Sequence, residues 1–112
     1  MTSASPKGIS ILLVDDHPIV RQGYRRVLES QRDFQVVAEA EDAASAYNAF
    51  KALSPDVVVM DISMPGASGL EAIRNIRARG GRARILVFSM HSEASLVKAA
   101  FNAGAGGYVT KS

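Results

Sequence analysis

One stretch near the middle of the chain most constrains the fold: Val-Val-Val-Met-Asp-Ile-Ser-Met-Pro-Gly at residues 57–66. Four apolar residues run directly into Asp61, and Pro65 and Gly66 then turn the chain. A short apolar run bounded by turn residues is typical of a strand buried on both faces, as in a parallel sheet. Asp61 is therefore expected at the C-terminal end of that strand, where open α/β sheets bind ligands. A carboxylate there is a metal ligand, a nucleophile or the cap of the next segment.

Strands and helices alternate along the whole chain. Apolar runs predict strands over residues 9–14, 34–40, 57–61, 84–89 and 107–111. Helical spacing of apolar residues predicts helices over 18–30, 42–53, 92–103 and from 68 up to Gly80. Asp42 is the expected cap of the second helix, Ser68 and Glu71 fit a capping box for the third, and Gly104 ends the fourth.

This βαβαβαβαβ pattern predicts an α/β protein with a doubly wound, five-stranded parallel sheet. The runs that start at Ile9, Val57 and Ile85 are the most apolar and belong in the centre, whereas residues 34–40 fit an edge strand. With right-handed crossovers, the strand order 2-1-3-4-5 satisfies these conditions. Its switch point lies between the first and third strands.

Composition restricts the function. The 112 residues are enough for one domain, and residues 1–8 are expected to form a disordered N-terminus. The chain has no cysteine, which excludes disulfides, thiolate zinc sites and cysteine nucleophiles. No apolar run approaches the length of a membrane span, and a net charge of +2 does not indicate nucleic-acid binding by this chain itself.

Five polar residues fall at the ends of predicted strands. Asp15 and Asp16 end the first strand, Asp61 the third, Ser89 the fourth and Lys111 the fifth. Each alone is ordinary: a strand-end Asp is usually a helix cap, a Ser a turn former and a Lys a solvated charge. Parallel strands end at one edge of the sheet, so we expect these residues to converge there.

The chemistry of such a cluster is restricted. Three close carboxylates repel one another, so at neutral pH one takes a proton or a cation joins them. Hard oxygen ligands suit Mg²⁺ or Mn²⁺. A metal, the Lys111 ammonium and the Ser89 hydroxyl together would suit a phosphoryl group, and Asp61 could be a nucleophile that forms an acyl phosphate.

Four motifs now suggest a family. They are Leu-Val-Asp-Asp-His at 13–17, Val-Met-Asp-Ile-Ser-Met-Pro-Gly at 59–66, Val-Phe-Ser-Met-His at 87–91 and Gly-Ala-Gly-Gly-Tyr-Val-Thr-Lys at 104–111. Over residues 9–111 the chain resembles the response-regulator receiver domains of two-component signalling, and its first and third motifs are similar to the NarL/FixJ (LuxR-type) subfamily. The resemblance implies a flavodoxin-like receiver fold.

The resemblance also implies residue roles. Asp61 would accept a phosphoryl group from a sensor histidine kinase, and Lys111 would contact the phosphoryl oxygens. Asp16, Asp61 and the backbone carbonyl of Ser63 would bind Mg²⁺, with Asp15 acting through water.

Three further roles follow from the same resemblance. Ser89 and Tyr108 would be the switch pair, in which Ser89 moves to the phosphoryl group and Tyr108 turns inward behind it. Ser63 and His91 stand where the family tunes dephosphorylation. Ser112 follows Lys111 where many receivers have proline.

On the family pattern, residues 9–112 are a receiver domain that stops before a fifth helix, and a DNA-binding helix-turn-helix output domain is expected beyond the end of the chain. Without that helix, Leu13, Leu86 and Val109 are expected to be partly bare. The protein would be a cytoplasmic transcription regulator with no membrane contact, would dimerise on activation, and would catalyse only its own phosphotransfer and dephosphorylation.

Two other function classes stay open. A stand-alone receiver would act only by protein contact. A Mg²⁺-dependent aspartyl-phosphate phosphatase resembling the haloacid dehalogenases is less favoured, because Asp61-Ile62-Ser63 lacks the second Asp of the Asp-x-Asp motif of those enzymes.

Overall fold

The computed structural model describes residues 8–62, 68–80 and 82–110. The predicted disordered segment 1–8 and the predicted turn at Pro65 and Gly66 lie, except for Gly8, outside the described residues. Nine elements alternate along the chain: β1 (Ile9–Val14), α1 (Pro18–Glu29), β2 (Phe34–Ala40), α2 (Ala43–Leu53), β3 (Val57–Asp61), α3 (Ser68–Arg79), β4 (Arg84–Ser89), α4 (Ala94–Ala103) and β5 (Gly107–Thr110).

All five strands are parallel, and their order is β2-β1-β3-β4-β5. The predicted α/β fold and strand order are therefore confirmed. The most apolar runs form β1, β3 and β4, which occupy the three central positions. A central strand is covered on both faces, so side chains on both of its faces can be apolar. The β1–β2 ladder is irregular: Ile11 pairs with Val36 and Leu12 with Ala38, so Val37 is an extra residue in β2.

The two faces of the sheet carry cores of different size. On the larger face, side chains of the central strands pack against α2, α3 and α4, with Leu12, Met60 and Ile73 fully buried. On the smaller face, Ile11, Leu13, Val36 and Val59 are buried, and Tyr24 and Leu28 of α1 pack against them.

The expected bare surface is smaller than predicted. Leu13 is only 1% exposed, so the prediction that it is partly bare is wrong. It is covered because α1 lies over β1. Val109 on the edge strand β5 is 43% exposed, as predicted, and Leu86 is partly buried. Leu86 packs over Gly107, where a Cβ atom would lie 2.9 Å from its Cδ1.

Helix boundaries follow local chemistry. The Asp42 carboxylate accepts a hydrogen bond from the Ser45 amide and caps α2, as predicted. Helix α4 begins at Ala94, two residues later than predicted, and is followed by Gly104 with φ of 125°. The predicted cap at Ser68 lies outside the described side chains. Among the described residues, no helix is long and apolar enough to span a membrane.

Candidate functional site

Three strand ends bring polar residues to one edge of the sheet. Asp15 directly follows β1, Asp61 is the last residue of β3, and Ser89 is the last residue of β4. All three side chains are buried, with 1%, 3% and 0% of their surface exposed. Polar groups are rarely buried this completely without a specific partner or role.

Carboxylates gather at this edge as predicted. Asp15, Asp16, His17 and Asp61 each offer one ligand atom, and these four atoms lie within 4.8 Å of one another. We call these four residues the acidic cluster. The predicted convergence of Asp15, Asp16 and Asp61 is therefore present in the structure.

The backbone around Asp15 is held from several sides. The Asp15 amide donates to the carbonyl of Ala40 at 3.0 Å, and the Asp15 carbonyl accepts from Arg21 Nη1 at 2.5 Å. The Asp15 carboxylate accepts from the His17 amide at 2.8 Å, which is an Asx-type turn. These contacts orient the turn that presents both carboxylates.

His17 is a member of the acidic cluster. Its Nδ1 is 2.9 Å from Asp16 Oδ1 and 3.2 Å from Asp15 Oδ1. The imidazole is nevertheless 61% exposed, so it lies at the rim of the acidic cluster. Its signal in the sequence was its place directly after two acidic residues.

The predicted switch pair is connected through the backbone of one residue. The amide of His91 donates to Ser89 Oγ at 3.0 Å. The carbonyl of the same residue accepts a hydrogen bond from the Tyr108 hydroxyl at 2.6 Å. Movement of the loop after β4 would therefore change the hydrogen bonds of both Ser89 and Tyr108. The imidazole of His91 points to Glu93 at 3.7 Å.

Two predicted site residues, Lys111 and Ser63, lie outside the described residues.

Two arginines on α1 share one carboxylate of β2. Arg21 Nε donates to Glu39 Oε1 at 2.7 Å, and Arg25 Nη1 donates to Glu39 Oε2 at 2.5 Å. Hydrogen bonds from Arg25 and then Arg21 hold the pKa of Glu39 below its usual range, although burial opposes them. Hydrogen bonds to Glu39 and then to Glu29 raise the pKa of Arg25. Sequence reasoning missed this group, although the i, i+4 spacing of the two arginines indicated a shared helix face.

The acidic cluster fits a hard divalent cation. Oδ1 of Asp16 is shielded from solvent, and among the described residues its close polar contact is His17 Nδ1 at 2.9 Å, which does not meet hydrogen-bond geometry. A buried carboxylate oxygen of this kind needs a proton or a cation, particularly beside two other carboxylates. Oxygen donors suit Mg²⁺, which Asp15, Asp16 and Asp61 would hold.

Comparison with known proteins decides the family. The family model described as the response regulator receiver domain matches residues 11–112. The chain belongs to this family. Receiver domains are signalling domains rather than classical enzymes; they interact with histidine kinases and bind Mg²⁺ at an acidic phosphorylation site.

Individual relatives place the receiver domain more narrowly. It is 43% identical to the response regulator UvrY of Escherichia coli K12 over 103 residues, which are 92% of this chain and 47% of UvrY. It is 39% identical to the transcriptional regulatory protein DegU of Brevibacillus brevis over 92% of this chain and 44% of DegU. A crystal structure of a LuxR-family two-component response regulator from Aurantimonas sp. SI85-9A1 matches with TM-score 0.90 and 54% identity, over 95% of this chain and 76% of that chain.

These matches identify a receiver domain of the LuxR family of response regulators. The chain spans about half the length of the curated relatives it matches.

Proposed function

We propose that this receiver domain accepts a phosphoryl group on Asp61 from a sensor histidine kinase and thereby controls a DNA-binding output domain. The observation that supports the acceptor assignment is the acidic cluster, in which the buried Asp61 carboxylate ends β3 beside Asp15 and Asp16. A nucleophilic carboxylate needs a neighbouring cation to bring two anions together, and this cluster is suited to bind one.

The transfer is a substitution at phosphorus. An oxygen of Asp61 forms a new O–P bond while the N–P bond of the kinase phosphohistidine breaks. The imidazole leaves and takes up a proton, and the product is an acyl phosphate. When bound, Mg²⁺ would neutralise charge on the phosphoryl oxygens.

The remaining site residues have proposed roles in binding and signalling. Asp15, Asp16, Asp61 and the Ser63 carbonyl would hold Mg²⁺, and Lys111 would contact the phosphoryl oxygens. Ser89 would donate its hydroxyl proton to a phosphoryl oxygen.

The Ser89 movement would reach Tyr108. Ser89 would release the His91 amide, and the Tyr108 hydroxyl, which now binds the His91 carbonyl, would turn inward. Ser63 and His91 would tune the dephosphorylation rate.

The proposal of a DNA-binding output domain rests on the relatives of this chain. UvrY and DegU are named a response regulator and a transcriptional regulatory protein, and this chain spans about half of each. We infer that the natural protein continues into a DNA-binding domain, acts in the cytoplasm and dimerises when phosphorylated.

The acceptor assignment is tested with a small phosphodonor. Acetyl phosphate and Mg²⁺ should add one acid-labile phosphoryl group to the chain, with loss of acetate. Asp61→Asn should remove this modification, because an amide is not a nucleophile. Intact-mass spectrometry measures it, and Asp33→Asn, an exposed acid at the opposite edge of the sheet, is the matched control. An Asp61→Asn chain that is still modified to the same extent would disprove the assignment.

A further inference from the structure

Arg21, in the first turn of α1, binds two other parts of the chain at once. Its Nη1 donates to the carbonyl of Asp15, and its Nε donates to the carboxylate of Glu39 on β2. The Arg21 side chain is only 17% exposed. A guanidinium donates in a rigid planar fork, so these two contacts together fix its position.

The carbonyl that Arg21 binds belongs to the peptide group between Asp15 and Asp16. This carbonyl lies beyond the last residue of β1, at a residue that is 1% exposed, and a buried carbonyl needs a donor. Rotation of that peptide plane would swing the Asp16 carboxylate relative to those of Asp15 and Asp61. The orientation of the plane therefore determines whether the three carboxylates converge.

We propose that Arg21 is a positioning residue for the magnesium site, and that it acts by holding the peptide between Asp15 and Asp16 against Glu39. This inference rests on the proposed function, because it takes Mg²⁺ as the cation of the acidic cluster. The side-chain hydrogen bonds of Arg21 go to the Asp15 carbonyl and to Glu39, so its effect on the cation is indirect.

Arg25 provides a matched control within the same helix. It lies one turn further along α1 and binds the other oxygen of Glu39 at 2.5 Å. Its other hydrogen bonds reach Glu29 and the Val36 carbonyl rather than the turn at Asp15. Replacing either arginine with alanine removes one positive charge and one partner of Glu39.

The two variants separate positioning from charge. Loss of a positive charge near the acidic cluster would strengthen cation binding in both variants. Loss of positioning would weaken it in Arg21→Ala alone. The effects have opposite signs, so the sign of the change identifies the cause.

Magnesium titrations of the 112-residue chain, followed by NMR of backbone amides, measure the affinity. Arg21→Ala should raise the dissociation constant about tenfold, the usual scale for groups that orient metal ligands. Arg25→Ala should leave it within about twofold, on the same scale. Arg21→Lys keeps the charge but cannot make both contacts, so its affinity should lie between wild type and Arg21→Ala. Equal affinities in Arg21→Ala and Arg25→Ala, or tighter binding in both, would overturn the proposal.

A second readout needs no metal. In metal-free protein, amide hydrogen exchange at Asp16 and His17 should be faster in Arg21→Ala than in wild type and unchanged in Arg25→Ala. Urea denaturation confirms that each variant is folded, and Arg21→Lys replaces Arg21→Ala if alanine prevents folding. A wild-type chain that binds no Mg²⁺ would disprove the proposed function, whereas normal Mg²⁺ binding with identical exchange in both arginine variants would disprove the role of Arg21 alone.

Discussion

Asp15 and Asp16 are chain neighbours with different surroundings, and this difference predicts different mutant behaviour. The Asp15 carboxylate is buried and accepts a hydrogen bond from the His17 amide. The Asp16 side chain is 24% exposed, and its Oδ1 accepts from no described backbone amide, although His17 Nδ1 lies 2.9 Å away. Asp16 is therefore the better candidate for a direct metal ligand, whereas Asp15 also shapes the turn.

We expect Asp16→Ala to weaken Mg²⁺ binding far more than Asp15→Ala. Mg²⁺ at 100 times its dissociation constant stabilises a folded protein by about 2.7 kcal/mol, and Asp16→Ala should lose that increment. Urea denaturation with and without Mg²⁺ measures it. Without metal, Asp16→Ala should be no less stable than wild type, because the change relieves repulsion between carboxylates. Equal or reversed losses of Mg²⁺ stabilisation in the two variants would contradict the assignment.

The sequence predicted the positions of the site residues better than their contacts. Asp15, Asp61 and Ser89 lie at the ends of strands, as short apolar runs bounded by turn residues predict. The contacts of His17 and Arg21 depend on how the β1–α1 turn folds against β2. Such contacts join residues far apart in the chain, and hydrophobic spacing contains no information about them.

At the scale of elements, polar side chains fasten α1 to the edge strand β2. Glu39 accepts hydrogen bonds from Arg21 and Arg25, and Glu29 accepts from the Val36 amide at 3.2 Å. Arg25 Nη2 donates to the Val36 carbonyl at 3.3 Å. Both backbone groups of Val36 lie beside the extra residue of β2, where the ladder is disrupted, so α1 satisfies polar groups at that irregularity.

The lowered pKa of Glu39 predicts a pH-dependent contribution to stability. A carboxylate with a lowered pKa in the folded state stabilises the fold above its unfolded pKa, about 4.3, and that stabilisation is lost as pH falls through the folded pKa. Glu39→Gln should therefore destabilise the chain by about 1 kcal/mol at pH 7, because a partly exposed ion pair rarely contributes more to stability.

Urea denaturation between pH 7 and pH 3 should show this difference from wild type shrinking below about pH 4, the usual carboxylate range. Asp33→Asn, an exposed carboxylate in the turn before β2, controls for loss of a negative charge and should show no such trend. A difference that stays constant down to pH 3 would exclude ionised Glu39 as its source.

The order of the strands could be predicted from their composition, but the extra residue in β2 and the start of α4 could not. The central places of β1, β3 and β4 require only that apolar residues be buried on both faces. The extra residue Val37 and the start of α4 at Ala94 depend on pairing and capping geometry that no residue type specifies.

The two faces of the sheet carry cores of different size, and this difference explains which residues the sequence predicted wrongly. The absence of a fifth helix predicts a partly bare Leu13, but Tyr24 and Leu28 of α1 cover it, and Val109 on β5 is the residue that is exposed. Arg77 lies in the basic last turn of α3, yet it is partly buried and donates from Nε to the Gly104 carbonyl at 2.8 Å. This contact joins α3 to the end of α4 within the larger core.

Gly104 makes that junction possible for two reasons. Its φ of 125° is unfavourable for any residue with a side chain, and a Cβ atom would lie 2.3 Å from Arg77 Cγ. Gly80, with φ of 91°, has the same unfavourable backbone, but no described atom lies within 4 Å of where its Cβ would be. Gly80→Ala should therefore cost about 1–2 kcal/mol, the usual cost of left-handed backbone.

Gly104→Ala should cost more, about 2–4 kcal/mol, because the Arg77 side chain must also move. The free energy of unfolding in urea compares the two variants. The steric part can be isolated in an Arg77→Ala background, where the Gly104→Ala cost should fall toward that of Gly80→Ala, giving a coupling energy of about 1 kcal/mol or more in the cycle. If Gly104→Ala costs the same whether or not Arg77 is present, only backbone conformation requires the glycine, and the junction between α3 and α4 does not depend on this close contact.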